Sequence, residues 1–134
     1  MLFRSVRWAE WTKFVVQAPD FRTLTGNPLV SFKDDRTTYT LGLGRRLNKE
    51  WSIAGNVGYE ATLGGSSSNF APRDGARNLG IAATYTMKKA ELRGGMQYVW
   101  VGDAQTRIGP LFPAGNWNDN TGIGGALKLS IKLD

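Results

Sequence analysis

A chain of 134 residues with neither cysteine nor histidine has room for one ordinary domain. Its composition removes disulfides, thiol chemistry, cysteine-ligated zinc, and the commonest general base and metal ligand. The 17 Lys and Arg against 11 Asp and Glu leave a charge of +6, but in the sequence the cations are scattered, so no nucleic-acid partner is expected.

No stretch nears the ~18 consecutive apolar residues of a membrane-spanning helix. The opening "MLFRSVRWAEW" lacks the charged start, apolar middle and small-residue cleavage site of a signal peptide. It reads as the inside of a strand, so Met1 is not expected to be the natural start of the full protein. The first alternating run covers about Leu2 to Val16, with Val6, Trp8 and Phe14 on one parity. A long join, about 17 to 36, follows. Runs two and three, Thr37 to Leu47 and Trp51 to Ala61, are linked tightly through Asn48-Lys49-Glu50. A second long join, about 62 to 77, leads to run four, Asn78 to Met87. Lys88-Lys89-Ala90 turns it into run five, Glu91 to Asp103. The third long join, about 104 to 120, precedes run six, Gly122 to Leu133. The prolines, at positions 19, 28, 72, 110 and 113, avoid every run, as they must where each strand has paired neighbours.

Short and long joins alternate without exception. The expected fold is therefore all-β, an antiparallel up-and-down meander of about six strands with short turns at one end and long loops at the other. This is the arrangement of outer-membrane barrels. Runs of about ten residues suffice to cross a hydrocarbon layer at a tilt. One parity carries an aliphatic band (Leu41, Leu43, Ile53, Val57, Ile81, Leu127, Leu129). Trp51 and Tyr85 stand at its short-turn margin, and Tyr39, Tyr59, Tyr98 and Trp100 at its long-loop margin, the placement of aromatic girdles. The other parity is rich in glycine, alanine, serine, threonine and asparagine, which suits a crowded lumen better than a solvated outer surface. Because about eight strands are the fewest that close such a barrel, residues 1–134 are expected to be the C-terminal portion of a larger barrel, or one contribution to a barrel pooled from several chains.

The stretches "SVRWAEWTKF", "TYTLGLGRRLNKEWSIAGNVGYE", "APRDGARNLGIAATYT" and "ELRGGMQYVWVGDA" together resemble the C-terminal part of the outer-membrane long-chain fatty acid transporter family (FadL-type). The resemblance implies a barrel of about fourteen strands in the bacterial outer membrane, passing hydrophobic compounds such as long-chain fatty acids by passive diffusion. The family's lumenal plug and lateral opening lie in its N-terminal half and have no counterpart in this chain. The chain also ends "LKLSIKLD", without the terminal aromatic common to such barrels. The implied partners are outer-membrane lipid, hydrophobic small molecules and the remaining strands of the full-length barrel.

No catalytic constellation is present, and no enzyme activity, cofactor or metal is expected. Ser66-Ser67-Ser68 has no histidine, and Asp34-Asp35 and Asp119 lack ligand spacing. Among residues facing the lumen, Arg93 and Lys128 are candidates to meet a carboxylate head group, and Asn56 and Gln97 to hydrogen-bond one. The alternative for the charges is lumenal ion pairing, Arg93 with Glu91 or with Glu60. Phe70, Leu111, Phe112 and Trp117 are candidates for an apolar loop entrance, the alternative being loop self-packing. Two other functions stay open on these residues: a soluble antiparallel β ligand-binding module, and a general structural porin.

Overall fold

The computed structural model describes residues 1–67, 72–108 and 112–132. Six strands form one sheet: β1 (Leu2–Ala9), β4 (Arg36–Arg46), β5 (Trp51–Glu60), β7 (Ala76–Thr86), β8 (Ala90–Val101) and β11 (Thr121–Ile131). They lie in that order, each antiparallel to its neighbour. The meander read from the alternation is thus the observed architecture. The sheet is open, with β1 and β11 as its edges.

The first run is shorter than its alternation implies. The strand ends at Ala9, and Trp11–Lys13 forms a single 3-10 turn. Thr12 causes the break: its backbone N–H and its hydroxyl both donate to Asp35 Oδ1, at 3.0 and 2.7 Å. Those bonds, the hydroxyl's foremost, hold the Asp35 carboxyl below its ordinary range. Phe14 consequently leaves the face of Val6 and Trp8 and packs with Trp11 and Phe32, at ring separations of 6.2 Å each.

The long joins are partly ordered. The first contains β2 (Val15–Val16) paired with β3 (Val30–Ser31), and between them α1 (Pro19–Thr25). Proline opens that helix and Gly26, at φ 75°, closes it in the left-handed conformation that glycine adopts most readily. The other two joins meet in a small second sheet: β9 (Ala104–Ile108) and β10 (Phe112–Trp117) form a hairpin, and β6 (Ser66–Ser67) lies parallel to β9.

The register puts every apolar residue of the central band on one face. Arg4, Leu41, Val57, Leu79, Tyr98 and Ile123 form one row across all six strands. The next row toward the short turns is Leu2, Leu43, Gly55, Ile81, Met96 and Gly125. No described residue covers this face: Leu127 is 76% exposed, Ile123 71% and Ile81 63%. Ala104 is the one buried hydrophobic residue among those described. Among the described residues the sheet therefore has no apolar core, and the apolar band lies on an exposed face.

Aromatic side chains stand at both margins of that face. Trp51 and Tyr85 are cross-strand neighbours with rings 4.8 Å apart near the short turns. Near the long loops, Tyr39 faces Tyr59, Arg77 sits over the Tyr59 ring at 5.9 Å, and the Tyr98 and Trp100 rings are 4.6 Å apart. The band is also slanted. Ile123 heads the apolar stripe of β11, and its row reaches β1 at Arg4, yet the stripe of β1 continues four residues further to Trp8. Its margin thus descends about 13 Å across roughly 24 Å of sheet, an angle of about 30° to the hydrogen-bonding direction.

The glycines of the opposite face make room for their neighbours. The Phe3 ring lies across Gly42, the Asn78 amide across Gly58 and the Asn56 amide across Gly80. A methyl group at any of the three would displace the side chain resting there.

Candidate functional site

The face opposite the apolar band carries the residues singled out as lumenal, arranged in three rows. Asn56 and Gln97 flank Gly80 in the first. Ala54, Ala82, Gly95 and Ala126 form the second. Ser52, Thr84, Arg93 and Lys128 form the third, nearest the short turns. Period-two alternation brings all of them to one side. The small residues of the middle row open a furrow of about 380 Å³ with Phe3 at its edge. An apolar floor therefore lies between two amides and two cations.

The two cations are directly opposite one another in the β8–β11 ladder. Like charges so placed destabilise a sheet. Glu91 offsets part of this by an ion pair with Arg93 at 3.2 Å, whereas Lys128 has no ion-pair partner among the described residues. An anion between the two would relieve the repulsion. Of the two pairings considered for Arg93, that with Glu91 forms. Glu60 instead accepts two hydrogen bonds from Arg73, at 2.9 and 3.1 Å, and one from Thr38 at 2.9 Å.

The entrance candidates are dispersed. Phe70 and Leu111 lie outside the described residues. Phe112 pairs by its backbone with Ile108 in the second sheet. Trp117 remains 44% exposed while its indole N–H donates to Thr106 Oγ1 at 3.4 Å. Trp117 thus packs on its own hairpin, over Gly115.

A buried polar hub at the long-loop end escaped the sequence reading. Asp74 is 3% exposed and pairs with Arg36 at 2.8 Å. Its carboxylate also accepts the N–H groups of Leu63 at 3.0 Å and Gly64 at 2.6 Å. Arg36 donates as well to the Ala61 carbonyl at 3.0 Å. Burial opposes the charge on Asp74, but those donors together outweigh it and hold the carboxyl below its ordinary range. Gly75 follows at φ 78°, where a Cβ would lie 2.8 Å from the Glu60 carbonyl oxygen. The hub ties the ends of β4, β5 and β7 together. Its visible trace was the "PRDG" stretch, quoted above only for a family likeness.

The fold also sorts the charge that looked scattered. Arg45, Arg46, Lys49, Lys88, Lys89, Arg93, Lys128 and Lys132 stand at the short-turn end, where the acids among the described residues are Glu50 and Glu91. At the long-loop end Arg7, Lys13, Arg22, Lys33, Arg36, Arg73, Arg77 and Arg107 are balanced by Glu10, Asp20, Asp34, Asp35, Glu60, Asp74, Asp103 and Asp119. The positive excess of the chain is therefore concentrated around the short turns.

Searches of protein-family models, of curated proteins and of solved structures each found no match to this chain.

Proposed function

We propose that this chain is part of the wall of a transmembrane β-barrel in a bacterial outer membrane, and that the barrel passes hydrophobic, fatty-acid-like compounds by passive diffusion. The observation that carries the membrane reading is the exposed apolar face. A soluble protein rarely leaves a continuous apolar patch larger than a few hundred Å², and here that patch extends across six strands with no apolar core behind it. Hydrocarbon is the solvent that stabilises such a surface. The aromatic margins and the slant of the band agree: strands of membrane barrels tilt by roughly 35–45°, so a layer of constant depth must cross the ladder obliquely. The free edges of β1 and β11 carry ladder groups that lipid cannot hydrogen-bond, and further strands are required to pair them.

The transport reading rests on the furrow. Its alanine and glycine floor accepts an aliphatic chain, and Arg93 with Lys128 accepts a carboxylate at the short-turn end. Cells producing the full-length protein are fractionated, and the protein is run unheated and boiled on a gel. Recovery with the outer membrane and faster migration before boiling are expected. Uptake of a long-chain fatty acid is then compared with and without the gene, and should fall in its absence. A freely soluble, heat-insensitive monomer refutes the membrane reading. Membrane recovery with unchanged uptake refutes the substrate.

A further inference from the structure

The apolar face is not smooth. Ala83 and Gly94 are cross-strand partners in β7 and β8, and their small size leaves a groove of about 540 Å³. Ile53 and Leu127 form its side walls, and the adjacent, mutually tilted rings of Trp51 and Tyr85 close it toward the short turns. Its row continues through Ile53 to Arg45 at the near end of β4. Lys49 and Lys88 occupy the two tight turns just beyond the aromatic pair. Arg45, Lys49 and Lys88 have no side-chain hydrogen bond or ion pair among the described residues. Arg46, by contrast, spends its guanidinium on the Asn48 and Lys49 carbonyls, at 2.9 Å each. An apolar groove that runs into an aromatic margin and then into unpartnered cations, at the one end of the sheet with excess positive charge, has the layout of an amphiphile with an anionic head.

We propose that this groove and rim seat an anionic phospholipid from the leaflet at the short-turn end, one acyl chain lying over Ala83 and Gly94 and the phosphate among Arg45, Lys49 and Lys88. The inference rests on the membrane reading above. It goes beyond transport, because the site is on the outer wall and not in the lumen. Basic side chains beside a membrane surface each favour anionic headgroups, and the groove adds selection for a lipid over a free anion.

The test uses the full-length protein reconstituted in vesicles of phosphatidylcholine mixed equally with phosphatidylglycerol, re-extracted, and the retained lipid measured by mass spectrometry. The retained lipid should be enriched in phosphatidylglycerol over the vesicle composition. Arg45→Gln, Lys49→Gln and Lys88→Gln should each lower the retained phosphatidylglycerol-to-phosphatidylcholine ratio by about fivefold. Gly94→Leu, which fills the groove and leaves every cation in place, should reduce the amount retained. Retention at the vesicle ratio overturns the inference while the membrane reading stands. So does an unchanged result with Gly94→Leu, or release of the phosphatidylglycerol by inorganic phosphate, since either shows recognition of charge alone. A protein that retains no lipid of either kind and never enters the vesicles refutes the membrane reading first, and the inference with it.

Discussion

Met96 and Gln97 are consecutive residues at the middle of β8, pointing to opposite faces, and they offer a direct comparison of the two surfaces. Met96 lies in the row of Leu43 and Ile81 and is 56% exposed; Gln97 lies beside Gly80 and Gly124 on the furrow side. If the Met96 face is in hydrocarbon, Met96→Lys puts a charge near the middle of the layer at a cost of about 2–4 kcal/mol. That shifts the folded-to-unfolded ratio by roughly thirty- to seven-hundred-fold. Gln97→Lys adds the same charge to an open polar face and should change stability by about 0.5 kcal/mol or less. The assay is urea unfolding of the full-length protein in phosphatidylcholine vesicles, followed by tryptophan fluorescence. A large loss for Met96→Lys alone supports the assignment of faces. Equal and small effects of the two substitutions would sink it, because in water both sites are simply exposed.

Three further outcomes are expected. Asp74→Ala leaves Arg36, mostly buried, without its counter-charge and strips acceptors from Leu63 and Gly64; about 3–5 kcal/mol should be lost in the same unfolding assay. Because Asp74 titrates lower folded than unfolded, its contribution is complete above its ordinary range near pH 4 and disappears as pH falls through the depressed folded value; stability measured against pH should therefore drop on the acid side in the wild type more than in Asp74→Asn. Gly75→Ala forces a Cβ against the Glu60 carbonyl at a positive φ and should cost about 1–3 kcal/mol. Replacing both Arg93 and Lys128 by glutamine should slow uptake of a fatty acid several-fold more than uptake of an uncharged hydrocarbon of equal length, since only the carboxylate loses its partner; equal slowing of both would remove head-group recognition from these two residues.

Alternation at period two is written in consecutive residues, so it survives in a bare sequence. The third and sixth alternating runs are legible as strands, and Asn48 and Lys88 as tight turns, because each needs only its neighbours along the chain. The same periodicity assigned Asn56, Arg93, Gln97 and Lys128 to one face. It failed where a distant residue intervenes: Asp35 binds Thr12 from 23 residues away and ends the first strand at Ala9. It was silent on Asp74, whose partner Arg36 is 38 residues distant, and on the gathering of positive charge around the short turns. Local sterics and hydrophobic pattern set the faces and the turns, and the sequence carries both. Register, edge strands, the groove beside Gly94 and the identity of each ion pair depend on which strands lie side by side, and only tertiary pairing decides that.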